Sequence, residues 1–153
     1  DTQVCFTPQQ DCTSLIVKQI ESANESVNMQ AYVFTSMPIA NALLYDQDHH
    51  INVQVIADHS DFTSPSQAIV TLIEHKVPLW NDTKVKIAHN KVIIIDNKRV
   101  VTGSFNWTYA AQESNAENVI VIDDPKIAAL YNVNFDYRQR LSTRWLLPTY
   151  ATP

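Results

Sequence analysis

Short apolar, β-branched stretches alternate along the chain with stretches whose apolar residues recur at helical spacing. Strands are predicted at Val4–Phe6, Val27–Thr35, Asn52–Ala57, Val77–Trp80, Lys86–Asp96, Arg99–Thr102 and Asn118–Ile122. Helices are predicted after an N-cap at Asp11 or Thr13, from Pro38 through Leu44, near Ser66–His75, near Thr108–Glu113 and from Pro125 to about Arg140. Such alternation is typical of α/β proteins. We therefore expect one mixed β-sheet flanked by helices on both faces, in a single domain over residues 1–153.

Composition limits the class of protein. With 45% hydrophobic residues among 153, the chain can bury a core of its own. Its longest uninterrupted aliphatic run, Val92–Ile95, is far shorter than the roughly 18 apolar residues of a membrane helix. The sequence starts at Asp1 without a leader-like segment. We expect a periplasmic or secreted bacterial protein from which an N-terminal signal or anchor has been removed.

Two cysteines, Cys5 and Cys12, lie close together near the N-terminus. A zinc site needs more ligands than these two thiols supply. We expect either a disulfide that joins the first strand to the first helix, as in an oxidising compartment, or two free buried thiols in a cytosolic protein.

Residues 88–108 contain the one glycine of the chain, Gly103, together with several side chains that carry chemistry. The stretch is predicted to start as an extended strand, in which side chains alternate between two faces. His89 and Lys91 are then neighbours on one face, and Asp96 points to the other. The glycine permits a positive φ or a close approach of the backbone to a ligand.

Two further polar residues, Ser104 and Asn106, follow the glycine, and Asn106 can cap the helix predicted after it. Free N–H groups at a helix start suit an anion. An ammonium, a hydroxyl and an amide together can hold the non-bridging oxygens of a phosphodiester, while a neutral imidazole supplies a nucleophile or a base. The stretch therefore indicates phosphodiester chemistry.

The spacing of these residues, His89-x-Lys91-x4-Asp96-x6-Gly103-Ser104-x-Asn106, resembles the HKD signature of the phospholipase D superfamily. The likeness extends to Gln30–Thr35, Val53–Asp58 and Asn115–Asn118, and it covers roughly residues 3–140. The resemblance implies the α-β-α sandwich of phospholipase D-like nucleases and a phosphodiesterase activity. It implies neither a metal ion nor a cofactor.

The resemblance also implies a role for each polar residue of the stretch. His89 would form a phosphohistidine intermediate, Lys91 and Asn106 would bind phosphoryl oxygens, Ser104 would assist through a hydrogen bond, and Glu117 would bond the other nitrogen of His89. Gly103 and Trp107 are expected at the substrate, with Trp107 alternatively at a dimer partner. Asp96 is expected to be structural, pairing with backbone or a base near the turn.

Hydrolysis through a phosphohistidine calls for two imidazoles, one that attacks phosphorus and one that protonates the leaving oxygen and later deprotonates water. Larger members of the superfamily supply both from two HKD copies, whereas this chain has one copy. We therefore expect a homodimer in which two His89 side chains face each other across a two-fold axis and form one composite site.

Three function classes remain open. The first is a metal-independent, sequence-nonspecific endonuclease acting on DNA or RNA, and the alternative is a phospholipase D that converts phosphatidylcholine-type lipids to phosphatidic acid. The apolar tail Leu141–Tyr150 would then touch a membrane surface. The third class, a noncatalytic phosphate-binding module, has no use for a polarised histidine. The net charge of −5 disfavours polyanions, but residues 84–99 carry five basic residues against one Asp, a local balance of +4.

Overall fold

The structure, a computed structural model, describes residues 1–146. The strands are β1 (Thr2–Thr7), β2 (Ser26–Ala31), β3 (Asn52–Asp58), β4 (Leu79–Asp82), β5 (Val92–Ile95), β6 (Arg99–Gly103), β7 (Glu117–Asp123) and β8 (Thr143–Trp145). The helices are α1 (Cys12–Glu21), α2 (Met37–Asp48), α3 (Ser60–Thr63), α4 (Gln67–Glu74), α5 (Tyr109–Glu113) and α6 (Pro125–Leu141). In the described part of the chain the strands form one mixed sheet in the order β1-β7-β6-β5-β2-β3-β4-β8. Strands β2, β3 and β4 run parallel, and the other neighbouring pairs are antiparallel.

Helices cover both faces of the sheet, which confirms the predicted fold class. The larger apolar cluster joins one set of strand residues to α1, α2, α4 and α5. On the other face α6 packs through Ala128 and Phe135 against Val92, Ile94 and Val100. The two clusters take alternate residues of β5, because successive side chains of a strand point to opposite faces. Each fully buried aliphatic side chain contributes roughly 1.5–3 kcal/mol to stability.

The strand predicted at Lys86–Asp96 is shorter in the structure, where β5 begins only at Val92. The reason is the length of its neighbours. Val92 pairs with Gln30 of β2 on one side and with Thr102 of β6 on the other, close to the ends of both strands. Residues before Val92 therefore have no ladder to join. The elements α3 and β8 were not among the predicted ones.

The turn between β5 and β6 is held by a carboxylate. Asp96 and Asn97 both have φ of 56°. The Asp96 carboxylate accepts hydrogen bonds from the backbone N–H groups of Asn24 (3.0 Å), Glu25 (2.7 Å) and Ser26 (3.0 Å). Burial alone raises the pKa of Asp96, but these hydrogen bonds outweigh burial and hold the pKa below its usual value. Its expected structural role, pairing with backbone near the turn, is what the structure shows.

The two ends of the described chain are each attached to the rest of the fold, one by a disulfide and the other by an aromatic stack. Cys5 and Cys12 form a disulfide that joins β1 to α1. Near the other end, Trp145 stacks on Phe62 with ring centroids 4.7 Å apart. The remainder of the predicted apolar tail, residues 147–150, lies outside the described residues. Within residues 1–146, none of the helices has the length and apolar character needed to cross a bilayer.

Replacing Asp96 by Asn is expected to destabilise the fold by about 1–3 kcal/mol at neutral pH, because charge-assisted hydrogen bonds to three backbone donors are weakened. A depressed pKa contributes stability that is present above the pKa of an unfolded Asp, about 4, and is lost as pH falls through the folded value. Urea unfolding of wild type and Asp96→Asn should therefore differ at pH 7 and converge in acid. The exposed Asp48→Asn is the matched control, and an Asp96→Asn deficit that stays constant with pH would contradict the assignment.

Candidate active site

The segment between β4 and β5 lies outside the sheet yet is firmly attached to it. The carboxylate of Asp58, at the end of β3, accepts the backbone N–H of Ala88 at 2.7 Å. Thr102 of β6 donates through Oγ1 to the carbonyl of Lys91 at 2.6 Å. Burial raises the pKa of Asp58, but hydrogen bonds from Ser60 and Ala88 more than compensate, so the pKa is lowered. An ionised Asp58 thus fixes the backbone one residue before His89.

His89 and Lys91 are neighbours, as predicted, although neither belongs to a strand. The Lys91 Nζ lies 3.1 Å from Nδ1 and 3.1 Å from Nε2 of His89 and donates to the His89 carbonyl at 2.9 Å. The Tyr32 ring lies 4.6 Å from the imidazole, centroid to centroid, and 5.5 Å from Nζ. Lys91 is only 8% exposed. Burial lowers the pKa of Lys91, and the charge of Glu117 opposes that shift.

Ser104 and Glu117 form the second part of the site. Ser104 Oγ donates to Glu117 Oε1 at 2.6 Å and accepts the backbone N–H of Asn118 at 3.1 Å. The other oxygen of Glu117 accepts from Asn115 Nδ2 at 3.1 Å. The predicted hydrogen bond between Glu117 and His89 is not formed among the described residues, where Glu117 bonds Ser104 and Asn115. The negative charge of Glu117 instead acts on Lys91, whose pKa it raises against the larger effect of burial.

Asn106 is placed differently from the prediction that it caps the next helix. The cap of α5 is Thr108, whose Oγ1 accepts the N–H of Ala111 at 3.0 Å. Within the described residues the Oδ1 atom of Asn106 is buried without a hydrogen-bond partner. An amide oxygen is an acceptor and cannot bond a phosphoryl oxygen, so a contact from Asn106 to an anion would come from its Nδ2 group. With Thr108 as the cap, α5 does not begin at Asn106 and adds no separate anion site there.

Two predicted substrate contacts are corrected by the structure. Gly103 has φ of 142°, and a Cβ at this position would lie 2.1 Å from the carbonyl oxygen of Asn118. The glycine is thus required by the neighbouring strand β7 rather than by a ligand. Trp107 is 1% exposed, and its Nε1 donates to the carbonyl of Gln30 at 3.1 Å. An indole buried in this way packs in the core.

Residues 84–99 do not form one basic surface. Lys84 and Lys86 are exposed in the segment that leads to the site. Lys98 and Arg99 lie beyond β5, whose four residues span roughly 13 Å at about 3.3 Å each. Arg99 there donates to Ser22 Oγ at 2.6 Å. The basic residues that give residues 84–99 a net charge of +4 are therefore divided between the two ends of β5.

Sequence reasoning did not assign Asp58 or Tyr32 to the site. A usable signal was present, because Asp58 ends β3 and Tyr32 directly follows β2. These strands are parallel, so their carboxyl ends meet at the same edge of the sheet, where ligands of α/β proteins commonly bind. Among residues 1–146 there is no group of three or more His, Cys, Asp or Glu side chains that could hold a metal ion.

Comparisons with known proteins agree with this geometry. A family model described as "Cardiolipin synthase, PLD-like domain" matches residues 16–139. Phospholipase D of Rickettsia prowazekii is 44% identical over 142 residues, which are 93% of this chain and 69% of that protein. Mitochondrial cardiolipin hydrolase of Xenopus laevis is 32% identical over 133 residues, 86% of this chain and 63% of that protein.

Solved structures give the same result. The crystal structure of a phospholipase D family member, Nuc from Salmonella typhimurium, superimposes with a TM-score of 0.90 at 32% identity and covers 96% of this chain and 99% of that one. NucT from Helicobacter pylori has a TM-score of 0.84 at 26% identity, covering 95% and 99%. By sequence, fold and site, this chain belongs to the phospholipase D superfamily and is a phosphodiesterase of that superfamily.

Proposed function

We propose that this phosphodiesterase acts by two successive displacements at phosphorus, through a phosphohistidine on His89. The observation that carries the proposal is the Lys91 ammonium, buried against both ring nitrogens of His89. A cation that has lost hydration gains most from an anionic ligand, and a phosphodiester is anionic. Lys91 and the Nδ2 group of Asn106 then hold the non-bridging oxygens as negative charge develops on them, and Ser104 assists once its hydroxyl proton turns from Glu117 to the phosphoryl group.

In the first displacement the lone pair of one His89 nitrogen forms a bond to phosphorus while the bond from phosphorus to the leaving oxygen breaks. The leaving oxygen takes a proton from a second imidazole. In the second displacement that imidazole removes a proton from water, whose oxygen bonds to phosphorus as the bond to His89 breaks. Atoms and protons balance without a metal ion in either step.

The second imidazole is proposed to be His89 of the partner subunit. The other four histidines of the chain have different surroundings: His49 stacks on Tyr45, His50 is exposed in the turn after α2, His59 Nδ1 lies 3.1 Å from Asn81 Nδ2, and His75 Nδ1 lies 2.9 Å from the Thr71 carbonyl. A two-fold axis near His89 supplies both imidazoles from one motif. We therefore propose a homodimer with one composite site.

A phospholipid is the substrate we propose first. The basic residues of 84–99 divide between the two ends of β5, which leaves Lys84 and Lys86 beside the site. A polynucleotide contacts many phosphates and benefits from a longer basic track. The Rickettsia relatives named phospholipase D, at 44% identity, support the same substrate class.

Nucleic acid is the second candidate, on the strength of one specific observation. The similarity to Nuc covers nearly the whole of both chains, so that this chain has no large insertion relative to Nuc that would build a dedicated lipid pocket. A metal-independent, nonspecific endonuclease would use the same displacements on a DNA or RNA backbone. The two candidates differ in substrate and share the chemistry.

Purified protein in EDTA should hydrolyse phosphatidylcholine vesicles to phosphatidic acid and choline, and His89→Ala should lose activity by about a thousandfold or more. Plasmid DNA, single-stranded DNA and RNA are assayed in parallel. Lys98→Ala, at the far end of β5, is the control and should retain activity. Cleavage of nucleic acid alone would assign the endonuclease, whereas near wild-type activity of His89→Ala, or activity that requires added metal, would refute the mechanism.

Subunit mixing tests the composite site. Wild type and His89→Ala protein are exchanged at constant total protein. The activity of the mixture should fall as the square of the wild-type fraction, because a mixed dimer lacks one of the two imidazoles. Exchange with active Lys98→Ala protein should leave the total activity unchanged. A linear fall with the fraction of His89→Ala subunits would mean that each subunit works alone.

A further inference from the structure

The segment just before His89 alternates basic and aliphatic residues. It runs Lys84, Val85, Lys86, Ile87 within residues 83–87, hereafter the approach loop, and all of these residues are exposed. Val85 is 39% exposed and Ile87 is 45% exposed. Aliphatic side chains of a loop are usually folded back onto the core, so two exposed ones that alternate with lysines call for an explanation.

The approach loop lies at the same edge of the sheet as the site. It ends where Asp58 fixes the backbone N–H of Ala88, one residue before His89. A third exposed aliphatic, Val33, is 37% exposed and directly follows Tyr32, whose ring contacts His89. Exposed aliphatic residues thus lie two residues before His89 and one residue after Tyr32, its ring neighbour.

The charge of the approach loop is not neutralised within the described residues. The ion pair found there joins Arg138 to Asp82 at 2.9 Å, and neither Lys84 nor Lys86 has a carboxylate partner among residues 1–146. Asp82 therefore does not offset the lysines that follow it. On a chain of net charge −5, this is a local positive surface surrounding aliphatic side chains.

We propose that the approach loop is a docking surface for an anionic phospholipid bilayer. Val85 and Ile87 would enter the boundary between headgroups and acyl chains while Lys84 and Lys86 contact lipid phosphates, a combination that membrane-surface segments use. This docking deepens the proposed function, on which it rests, because it brings the scissile phosphodiester of a lipid to the edge where His89 lies.

The composition of the approach loop distinguishes a bilayer from other occupants. A nucleic acid would account for Lys84 and Lys86 but leaves Val85 and Ile87 in water. A second copy meeting this loop across a two-fold axis would place each lysine against identical lysines, which is repulsive. An anionic bilayer is complementary to both the charged and the apolar side chains.

The test measures binding without turnover, in a His89→Ala background. Protein is sedimented with vesicles of phosphatidylcholine alone or of phosphatidylcholine mixed with phosphatidylglycerol. Binding is expected to be about tenfold or more tighter to the mixed vesicles than to phosphatidylcholine alone. Val85→Ser combined with Ile87→Ser should weaken it by about tenfold or more, and Lys84→Glu combined with Lys86→Glu, which sets like charges against the anionic lipid, should remove the preference for the mixed vesicles.

Matched controls exist on β1 and at the far turn. Val4→Ser removes an exposed aliphatic side chain (56% exposed) from β1, an edge strand that is separated from β4 by five other strands, and Lys98→Glu changes a lysine beyond β5. Both controls should bind vesicles like the parent. The thermal midpoint of each variant reports whether it is folded, so loss of binding by an unfolded protein is recognised.

Several results would overturn the proposal. One is vesicle binding that the Val85 and Ile87 changes leave intact. Another is a shift from dimer to monomer caused by those changes in sedimentation velocity, which would assign the loop to the subunit interface. A third is tight binding of single-stranded DNA that depends on the lysines alone. Vesicle binding that responds as expected in a chain without phosphodiesterase activity would refute only the proposed function.

Discussion

Burial of β5 on both faces is the constraint on which the rest of the structure depends. Its residues Val92–Ile95 are 0–5% exposed, with β2 and β6 as antiparallel neighbours and apolar clusters above and below. No charged side chain can be accommodated within such a strand without a large desolvation cost. The polar residues of the motif are therefore displaced to its two ends, Lys91 before it and Asp96 after it. The same burial that holds the sheet together separates a catalytic end from a structural end.

At the structural end, three backbone N–H groups satisfy the Asp96 carboxylate, and nothing remains for a ligand. At the other end of β5, the charged group is the Lys91 ammonium, and its surroundings are different. Within residues 1–146, the nearly buried Lys91 ammonium lies against the imidazole and the carbonyl of His89, with the Tyr32 ring centroid 5.5 Å from Nζ. A cation that has lost hydration in this way favours an anionic ligand, as the proposed phosphodiester chemistry requires.

The segment that carries His89 gains its position from side chains rather than from strand pairing. Asp58 and Thr102, from strands on either side of the β2–β5 pair, each bond one backbone group of the segment. Anchoring of this kind leaves residues 83–87 outside the sheet and exposed while the imidazole itself is fixed. The proposed nucleophile His89 thus lies next to an exposed basic and aliphatic loop, which suits a substrate presented at a surface.

The sequence by itself determined the fold class, the order of most elements, the adjacency of His89 and Lys91, and the structural role of Asp96. Each of these follows from local periodicity or from a motif confined to eighteen residues, 89–106. Other features depend on partners distant in the chain, and only the tertiary structure decided them. Trp107 lies in the core because Phe34 and Gln30 contact it. Gly103 has no room for a side chain because the carbonyl of Asn118 in β7 lies against it. Glu117 accepts a hydrogen bond from Ser104. The basic residues of 84–99 lie at two separate places because the extended strand β5 runs between them. Their spacing in the sequence does not reveal this distance unless the strand is known to be extended.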